Sequence, residues 1–225
     1  MNSRVNIKSF LFNPFQENTY LLWNEEGDCV IVDPGCYTPR EEAVLKDFIR
    51  SKNLKPVSIW LTHGHFDHIF GVGELTRCFS IPVWMAPEDK FILEKDGEYA
   101  TGVGLRAPEV GFQTRDIHEG QVMEMGFKVI STPGHTPGCV CFYSEQAKIL
   151  LSGDTLFAGA IGRTDLDGGD YDKEIVGIME KLMDLPGDVD VFPGHGPATS
   201  IAEERTGNPF LQPFNEPWES ADDYI

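Results

Sequence analysis

Three of the chain's six histidines, His63, His65 and His68, lie within six residues, and Asp67 stands among them. The preceding segment, 57–62, is an apolar run that predicts a buried strand, so the cluster occupies the loop after that strand and the start of a helix. Histidines two residues apart can turn toward one point, while Asp67 and His68 face a neighbouring point. The chain must therefore fold so that a buried strand ends at a loop rich in metal ligands.

Two further histidines and one more carboxylate follow other predicted strands. His135 and His195 each lie in a Pro-Gly-His turn, and Asp154 comes directly after Ser152-Gly153 at the end of an apolar run. Two groups of imidazole and carboxylate ligands side by side suit two transition-metal ions about 3.5–4 Å apart. The residues therefore predict two divalent metal ions, zinc first, with iron or manganese as alternatives that the same donor atoms accept.

The hydrophobic pattern predicts a mixed α/β fold in which strands dominate. Helices are expected from Pro39, over 67–78 and over 171–183, and a capping box of Thr38 and Glu41 opens the first. Strands are expected near 5–7 and at 18–23, 28–33, 57–62, 81–85, 126–131, 138–144, 148–152 and 188–192.

Two segments interrupt this pattern without dividing the chain. Residues 102–118 are predicted to form an irregular surface insertion, and the proline-containing tail from about residue 208 is predicted to be extended. The tail's apolar side chains should pack on another surface; they are Phe210, Leu211, Phe214 and Trp218. No internal repeat or low-complexity linker is present, so residues 1–225 are interpreted as one domain.

Composition limits the partners of the chain. The net charge of −18 argues against a nucleic-acid substrate, because phosphate binding needs a basic face. No stretch approaches the ~18 uninterrupted apolar residues of a membrane span, and the first ten residues lack an apolar signal-peptide core. Five cysteines without a C-x-x-C pair are expected to be reduced and buried. The sequence thus predicts a cytoplasmic protein that acts on a small molecule; it does not assign an oligomeric state.

The segment Thr62-His63-Gly64-His65-Phe66-Asp67-His68 resembles the T-H-x-H-x-D-H motif of the metallo-β-lactamase superfamily. His135, Asp154 and His195 match the remaining ligand motifs in order, so that the resemblance spans most of the chain. It implies a four-layer αβ/βα sandwich, the metallo-β-lactamase fold, with the site at the open edge of two sheets.

The resemblance also implies a role for each matching residue. His63, His65 and His135 would bind the first ion, and Asp67, His68 and His195 would bind the second. Asp154 would bridge the two ions, and Asp33 matches the strand-end aspartate beside the metal loop. A metal-bridging hydroxide would attack the substrate's carbonyl carbon, with Asp67 orienting the water or accepting its proton. Asp67 and Asp154 are therefore the predicted catalytic residues.

Within the superfamily the chain is most similar to glyoxalase II, in a short single-domain form. Its segment Gly159-Ala160-Ile161-Gly162-Arg163-Thr164 resembles the stretch in which a basic residue contacts glutathione, so Arg163 is predicted to bind substrate. Two features differ from that family: the chain leaves no room for a C-terminal helical domain, and Gly196-Pro197 replaces a tyrosine after the last ligand histidine. The predicted activity is hydrolysis of a small thioester resembling S-2-hydroxyacylglutathione.

Three alternatives remain at this point. A persulfide dioxygenase of the same superfamily holds a single iron on two histidines and one aspartate, all of which occur here. A lactonase or broad esterase would use the same pair of ions. A metal-binding protein without catalysis is disfavoured, because a structural zinc site normally closes with four ligands. Metal content and oxygen uptake distinguish these possibilities.

Overall fold

Most of the apolar runs in the sequence become strands of two sheets. The computed structural model describes residues 4–211, which contain thirteen strands and six α-helices. The strands are β1 (Asn6–Phe12), β2 (Glu17–Trp23), β3 (Asp28–Val32), β4 (Lys55–Trp60), β5 (Val83–Met85), β6 (Thr114–Asp116), β7 (Lys128–Ser131), β8 (Val140–Ser144), β9 (Ile149–Gly153), β10 (Leu156–Phe157), β11 (Ala160–Ile161), β12 (Asp190–Pro193) and β13 (Thr199–Ser200). The helices are α1 (Pro39–Ser51), α2 (Phe66–Ile69), α3 (Val72–Phe79), α4 (Lys90–Gly102), α5 (Tyr171–Gly177) and α6 (Ile201–Gly207).

The strands form a six-stranded sheet, β1-β2-β3-β4-β5-β6, and a five-stranded sheet, β13-β12-β9-β8-β7. The first sheet is antiparallel from β1 to β3 and parallel from β3 to β6. In the second sheet β12 and β9 are parallel, so their carboxyl ends lie at the same edge. A two-stranded hairpin, β10-β11, stands beside this edge.

The elements form four layers, and an apolar core lies between each pair of neighbouring layers. The central core lies between the sheets, where Trp60 of β4 contacts Phe142 of β8 with ring centroids 4.9 Å apart. A second core joins the outer face of the first sheet to α1 and α3, and a third joins the second sheet to α5 and α6. Strand β2 is buried on both faces because helices cover one and the other sheet covers the opposite one. The predicted α/β class and αβ/βα sandwich are confirmed.

Local chemistry explains where the first helix begins. The Thr38 side chain accepts a hydrogen bond from the backbone N–H of Glu41, and the Glu41 carboxylate accepts one from the backbone N–H of Thr38. This reciprocal capping box satisfies two amide donors at the helix start, as predicted.

The helix predicted over 67–78 is wrong as a single element. Helix α2 ends at Ile69 and α3 begins at Val72, because the backbone N–H of Gly71 donates to the Pro34 carbonyl oxygen at 2.8 Å. A Cβ atom at Gly71 would lie 2.9 Å from that oxygen, so a glycine permits the close approach. The helix predicted over 171–183 likewise ends as an α-helix at Gly177 and continues as a π-helix over Ile178–Leu182.

The structure also differs from the sequence analysis at helix α4, in the segment 102–118 and at Cys78. Helix α4 was not predicted, because Asp96 interrupts the apolar stripe formed by Ile92, Leu93 and Ala100. The segment 102–118 is not wholly irregular, since it contains β6 at the edge of the first sheet. Four cysteines are buried and unpaired as expected, but Cys78 is exposed.

The start of the tail is a turn and not an extended strand. The backbone N–H of Leu211 donates to the Asn208 carbonyl oxygen at 3.1 Å. The Leu211 side chain is fully buried in the third core, whereas Phe210 is exposed. Phe214 and Trp218 lie outside the described residues. Among residues 4–211, none of the helices has the length and apolar character needed to cross a bilayer.

Candidate metal centre

Each predicted ligand loop begins where a strand ends. His63 and His65 follow β4, His135 follows β7, Asp154 follows β9 and His195 follows β12. Asp67 and His68 lie on the short helix α2. The two sheets end at a common edge, and this edge brings together side chains as far apart in sequence as residues 63 and 195.

The first group of candidate ligands consists of His63, His65 and His135, whose donor atoms lie within 4.8 Å of one another. Nδ1 of His65 is 2.9 Å from Nε2 of His135. Nε2 of His63 is buried and has no hydrogen-bond partner, although Nδ1 of the same ring lies 3.0 Å from the Thr62 hydroxyl. Three ring nitrogens therefore face one small volume.

The second group consists of Asp67, His68 and His195, whose donor atoms also lie within 4.8 Å of one another. Nε2 of His195 is 3.2 Å from Oδ2 of Asp67 and 3.3 Å from Nε2 of His68. This second set of donors lies beside the first set and shares none of its residues.

Asp154 lies between the two groups. Its Oδ1 atom is 3.4 Å from Nε2 of His68, and its Oδ2 atom is 3.7 Å from Nε2 of His135 and 3.6 Å from Nε2 of His195. The carboxylate thus contacts ligands of both groups. Oδ1 of Asp154 is buried without a hydrogen-bond partner, a position that normally costs free energy.

The orientation of the imidazole rings fits a cationic occupant. Nδ1 of His135 donates to the Arg163 carbonyl oxygen at 2.7 Å, and Nδ1 of His195 donates to the Phe15 carbonyl oxygen at 3.1 Å. Because Nδ1 of each ring is held by a backbone carbonyl oxygen, Nε2 of each ring faces the centre. Such outward hydrogen bonds are the usual support of metal-binding histidines. The donor set fits divalent metal ions held by nitrogen and oxygen.

Asp33, the strand-end aspartate, lies behind His68. Its Oδ2 atom is 3.2 Å from Nδ1 of His68 and accepts the Thr62 hydroxyl at 2.6 Å. Its Oδ1 atom accepts the backbone N–H of Thr62 at 2.7 Å. Asp33 therefore orients the His68 ring and holds the start of the ligand loop against β3.

Burial and mutual proximity determine the charge of these groups. Burial lowers the pKa of His63 well below its ordinary value, with a further lowering from His68. Burial and the neighbouring His135 lower the pKa of His65 to about 3. Burial alone would raise the pKa of Asp154, but His68 and His195 hold it well below its ordinary value. Although burial lowers them, the carboxylates of Asp154 and Asp67 raise the pKa values of His68 and His195. Metal binding requires neutral imidazoles and ionised carboxylates, so an ion at the second group must displace protons from these rings.

Two buried carboxylates missed from the sequence hold the ligand loops in place. Asp89 accepts the backbone N–H of Gly64 at 2.9 Å, the Thr136 hydroxyl at 2.8 Å and the backbone N–H of Gly138 at 2.6 Å. It thereby links the loop of His63 and His65 to the loop of His135.

Glu174 supports the loop that contains His135. Its Oε2 atom accepts the backbone N–H of His135 at 2.8 Å. Asp33 directly follows β3, whereas Asp89 ends a short 3-10 turn (Pro87–Asp89) four residues after β5, so its sequence position was a weaker signal. Glu174 gave no comparable signal, because it lies within helix α5 beside ordinary core residues.

A cavity of about 740 Å³ opens beside the ligands. Arg163, predicted to bind substrate, lines this cavity, but its guanidinium forms two hydrogen bonds with the Asp165 carboxylate at 2.8 and 2.9 Å. The remaining wall is largely apolar. The centre therefore has room for a small organic substrate whose reacting atom can approach Asp67 and Asp154.

Comparison with known proteins gives a consistent result over most of the chain. The sequence model described as the metallo-beta-lactamase superfamily matches residues 12–195. A protein of Haemophilus influenzae named hydroxyacylglutathione hydrolase GloC is 36% identical over 92% of this chain and 98% of its own length.

Two crystal structures show the same fold at similar identity. TTHA1623 in a di-iron-bound form is 37% identical, has a TM-score of 0.84, and matches 91% of this chain and 100% of its own. The BLEG-1 B3 metallo-beta-lactamase is 36% identical, has a TM-score of 0.82, and matches 92% of this chain and 99% of its own.

Proposed function

Because the chain belongs to the metallo-beta-lactamase superfamily, we propose that it is a two-metal hydrolase of small thioesters, with S-2-hydroxyacylglutathione as the reference substrate. The observation that carries the proposal is the position of Asp154 between two complete ligand groups. A carboxylate that contacts ligands of both groups can bridge two ions, and paired ions are common in hydrolytic centres.

The proposed ligands are those that the structure brings together. His63, His65 and His135 would hold one ion, Asp67, His68 and His195 would hold the other, and Asp154 would contact both. Zinc is the proposed metal, because neutral imidazole and carboxylate suit it without a thiolate. The di-iron form of TTHA1623 makes iron the main alternative for direct analysis.

The chemistry divides between the ions and the protein. When bound, two divalent ions lower the pKa of a shared water to about 7 and polarise the substrate's carbonyl group. Asp67 lines the cavity, and interactions with His68 and His195 outweigh burial to lower its pKa, so it is ionised at neutral pH. Its carboxylate can accept a hydrogen bond from water and orient one lone pair toward the substrate's carbonyl carbon.

Thioester specificity is supported by the name of one relative and by the position of Arg163. The relative from Haemophilus influenzae has a name that states hydrolysis of a glutathione thioester. Arg163, the residue predicted to bind substrate, lies at the cavity wall, where a substrate carboxylate would contact it. That contact would require exchange of its present partner Asp165.

The second ligand group weighs against a single-iron dioxygenase. Such an enzyme needs two histidines and one aspartate, and the donors of Asp67, His68 and His195 would then have no function as ligands. In this structure their donor atoms lie within 4.8 Å of one another, as those of the first group do. A lactonase or esterase would use the same centre, and the substrate panel below includes both.

The test is an assay of the purified, metal-loaded protein on S-lactoylglutathione, a neutral lactoyl thioester, a lactone and an aryl ester. Oxygen uptake with glutathione persulfide is measured in parallel. We expect thioester hydrolysis without oxygen uptake, and a loss of at least ~100-fold in His65→Ala and Asp154→Ala. Asp184→Ala, on the exposed surface, is the matched control. Oxygen uptake without thioester hydrolysis would refute the proposal, as would full activity in either ligand variant.

We also propose that the chain functions in the cytoplasm as a single domain. The five cysteines form no disulfide, which suits a reducing compartment. The net charge of −18 supports a small-molecule substrate in place of a nucleic acid.

A further inference from the structure

We propose that the cavity beside the metal centre selects thioesters whose thiol portion is apolar and uncharged, in preference to glutathione thioesters. This inference rests on the proposed thioesterase function and names its substrate class. A 2-hydroxyacyl group is small beside a cavity of about 740 Å³. Most of the cavity must therefore hold the group attached to sulfur, and the chemistry of the walls determines which group fits.

The cavity walls are mainly aromatic and aliphatic. Rings of Phe15 and Phe66 pack edge to face with centroids 5.4 Å apart at one side. The structure exposes eleven large apolar side chains within residues 4–211, and four of them line this cavity. These four are Phe15, Tyr99, Val103 and Leu166. Exposed apolar groups gathered at one concave surface indicate that an apolar ligand covers them.

The cations at the cavity are already paired with acidic side chains. Arg163 is the one lysine or arginine among the lining residues described, and it forms a bidentate pair with Asp165. Lys95, on the adjacent face of α4, lies 2.6 Å from Asp167, which also accepts the Tyr99 hydroxyl at 2.7 Å. Both aspartates line the cavity, so its wall presents neutralised cations and not a free positive charge.

Glutathione is poorly matched to this wall. Its thioesters have two carboxylates and one ammonium group, a net negative charge, and the cations at the cavity are already paired with Asp165 and Asp167. Binding a carboxylate at Arg163 would replace one exposed ion pair with another, and such pairs contribute little free energy. The chain's net charge of −18 adds a general repulsion toward anions. An uncharged apolar thiol avoids these costs and covers the exposed side chains.

The test keeps the acyl group constant and changes the thiol. Lactoyl thioesters of benzyl mercaptan, N-acetylcysteamine and glutathione are compared by kcat/KM on the zinc-loaded protein. We expect the benzyl thioester to exceed the N-acetylcysteamine thioester by about tenfold or more, since a phenyl ring is removed from water. The glutathione thioester should be the poorest of the three. A glutathione thioester hydrolysed as well as the benzyl thioester would overturn the inference.

Two variants examine the cavity wall directly. Val103→Ser should reduce the benzyl-to-cysteamine ratio several-fold. Val122→Ser changes another exposed valine, which lies outside the cavity, and should leave the ratio unchanged. Asp165→Asn releases Arg163 and should raise the relative rate on the glutathione thioester. Each ratio compares two substrates on the same protein sample, so a smaller fraction of folded protein in a variant does not change it. Unchanged ratios in Val103→Ser and Asp165→Asn would contradict the inference.

A binding measurement separates this inference from the proposed function. The unreactive thioethers 2-hydroxypropyl benzyl sulfide and S-(2-hydroxypropyl)glutathione have a methylene in place of the scissile carbonyl. Calorimetry should give tighter binding of the benzyl compound. If that preference holds while none of the thioesters is hydrolysed, the thioesterase function is wrong and the apolar selectivity stands. If hydrolysis occurs and the glutathione compound binds more tightly, the selectivity is wrong and the function stands.

Discussion

Asp89 illustrates how single buried side chains place the ligands. It accepts hydrogen bonds from Gly64, Thr136 and Gly138, and so joins two loops that begin on different sheets. An asparagine has one acceptor oxygen and would direct an NH₂ group at a backbone N–H. The substitution should therefore loosen both loops without removing any ligand.

We predict that Asp89→Asn lowers the affinity for zinc by about 10- to 100-fold, which is the usual effect of losing a supporting hydrogen bond. Competition with a coloured chelator measures the affinity directly. The exposed Asp184→Asn is the control, and it should bind zinc as the wild type does. Equal affinity in Asp89→Asn and wild type would show that the hydrogen bonds of Asp89 do not support the centre.

Asp96 gives a prediction about pH. Both of its carboxylate oxygens are buried without a hydrogen-bond partner, and burial, with Asp67 and Asp89 nearby, raises its pKa to about 8. The unfolded chain releases this proton near pH 4, whereas the folded chain keeps it up to about pH 8. Between these two pH values the folded state binds more protons than the unfolded state. The contribution of Asp96 to the free energy of unfolding therefore falls as pH rises from about 4 to about 8.

Asp96→Asn removes this pH dependence of stability, because the asparagine side chain does not titrate. We expect the metal-free variant to become more stable relative to wild type by ~1–3 kcal/mol between pH 5 and pH 8.5, measured by denaturant unfolding at both values. Asp184→Asn should show no such change. A stability difference that is the same at the two pH values would contradict a raised pKa for Asp96.

At the scale of elements, the ends of strands determine the site. Asp154 after β9 and His195 after β12 meet because these strands are parallel neighbours. Gly194 lies against Asp154, and a Cβ atom at this position would collide with Oδ1 of Asp154 and approach His68 to 2.7 Å. The absence of a side chain thus permits the carboxylate to lie between the two ligand groups.

We predict that Gly194→Ala displaces Asp154 and reduces bound zinc below the wild-type content, with a loss of stability of ~1–3 kcal/mol from overpacking. Gly207→Ala is the matched control, because a Cβ atom there meets nothing within 4 Å. Elemental analysis and thermal unfolding of the two variants make the comparison. If Gly194→Ala binds as much zinc as the wild type, then displacement of the Asp154 carboxylate by the added methyl group does not impair metal binding.

The sequence predicted the strands and the ligand loops better than the helices around them. Apolar runs before His63 and Asp154 identify buried strands, because each contains three consecutive apolar residues, Ile59-Trp60-Leu61 and Ile149-Leu150-Leu151. Helix α4 was missed since Asp96 occupies one of its buried positions. The break at Gly71 was missed because it depends on a hydrogen bond to Pro34, a long-range contact that local periodicity does not encode. The support from Asp89 likewise depends on tertiary contacts between two loops.

At the scale of the whole molecule, the four layers bring two sheets to one edge. The central core around Trp60 and Phe142 fixes the sheets relative to one another. The first sheet supplies His63 and His65, and the second supplies His135, Asp154 and His195. A divalent ion at this edge would therefore bind both sheets, which explains why a fold of this size can position ligands from loops distant in sequence.

We propose that thioester hydrolysis requires two ions in one centre. The most direct test is a zinc titration of metal-free protein, with bound zinc and the hydrolysis rate of a lactoyl thioester measured on the same samples. We expect a rate that rises until two zinc ions are bound per chain and then stays constant, and no comparable rate in His195→Ala. A full rate at one ion per chain, or in protein without metal, would contradict the proposal.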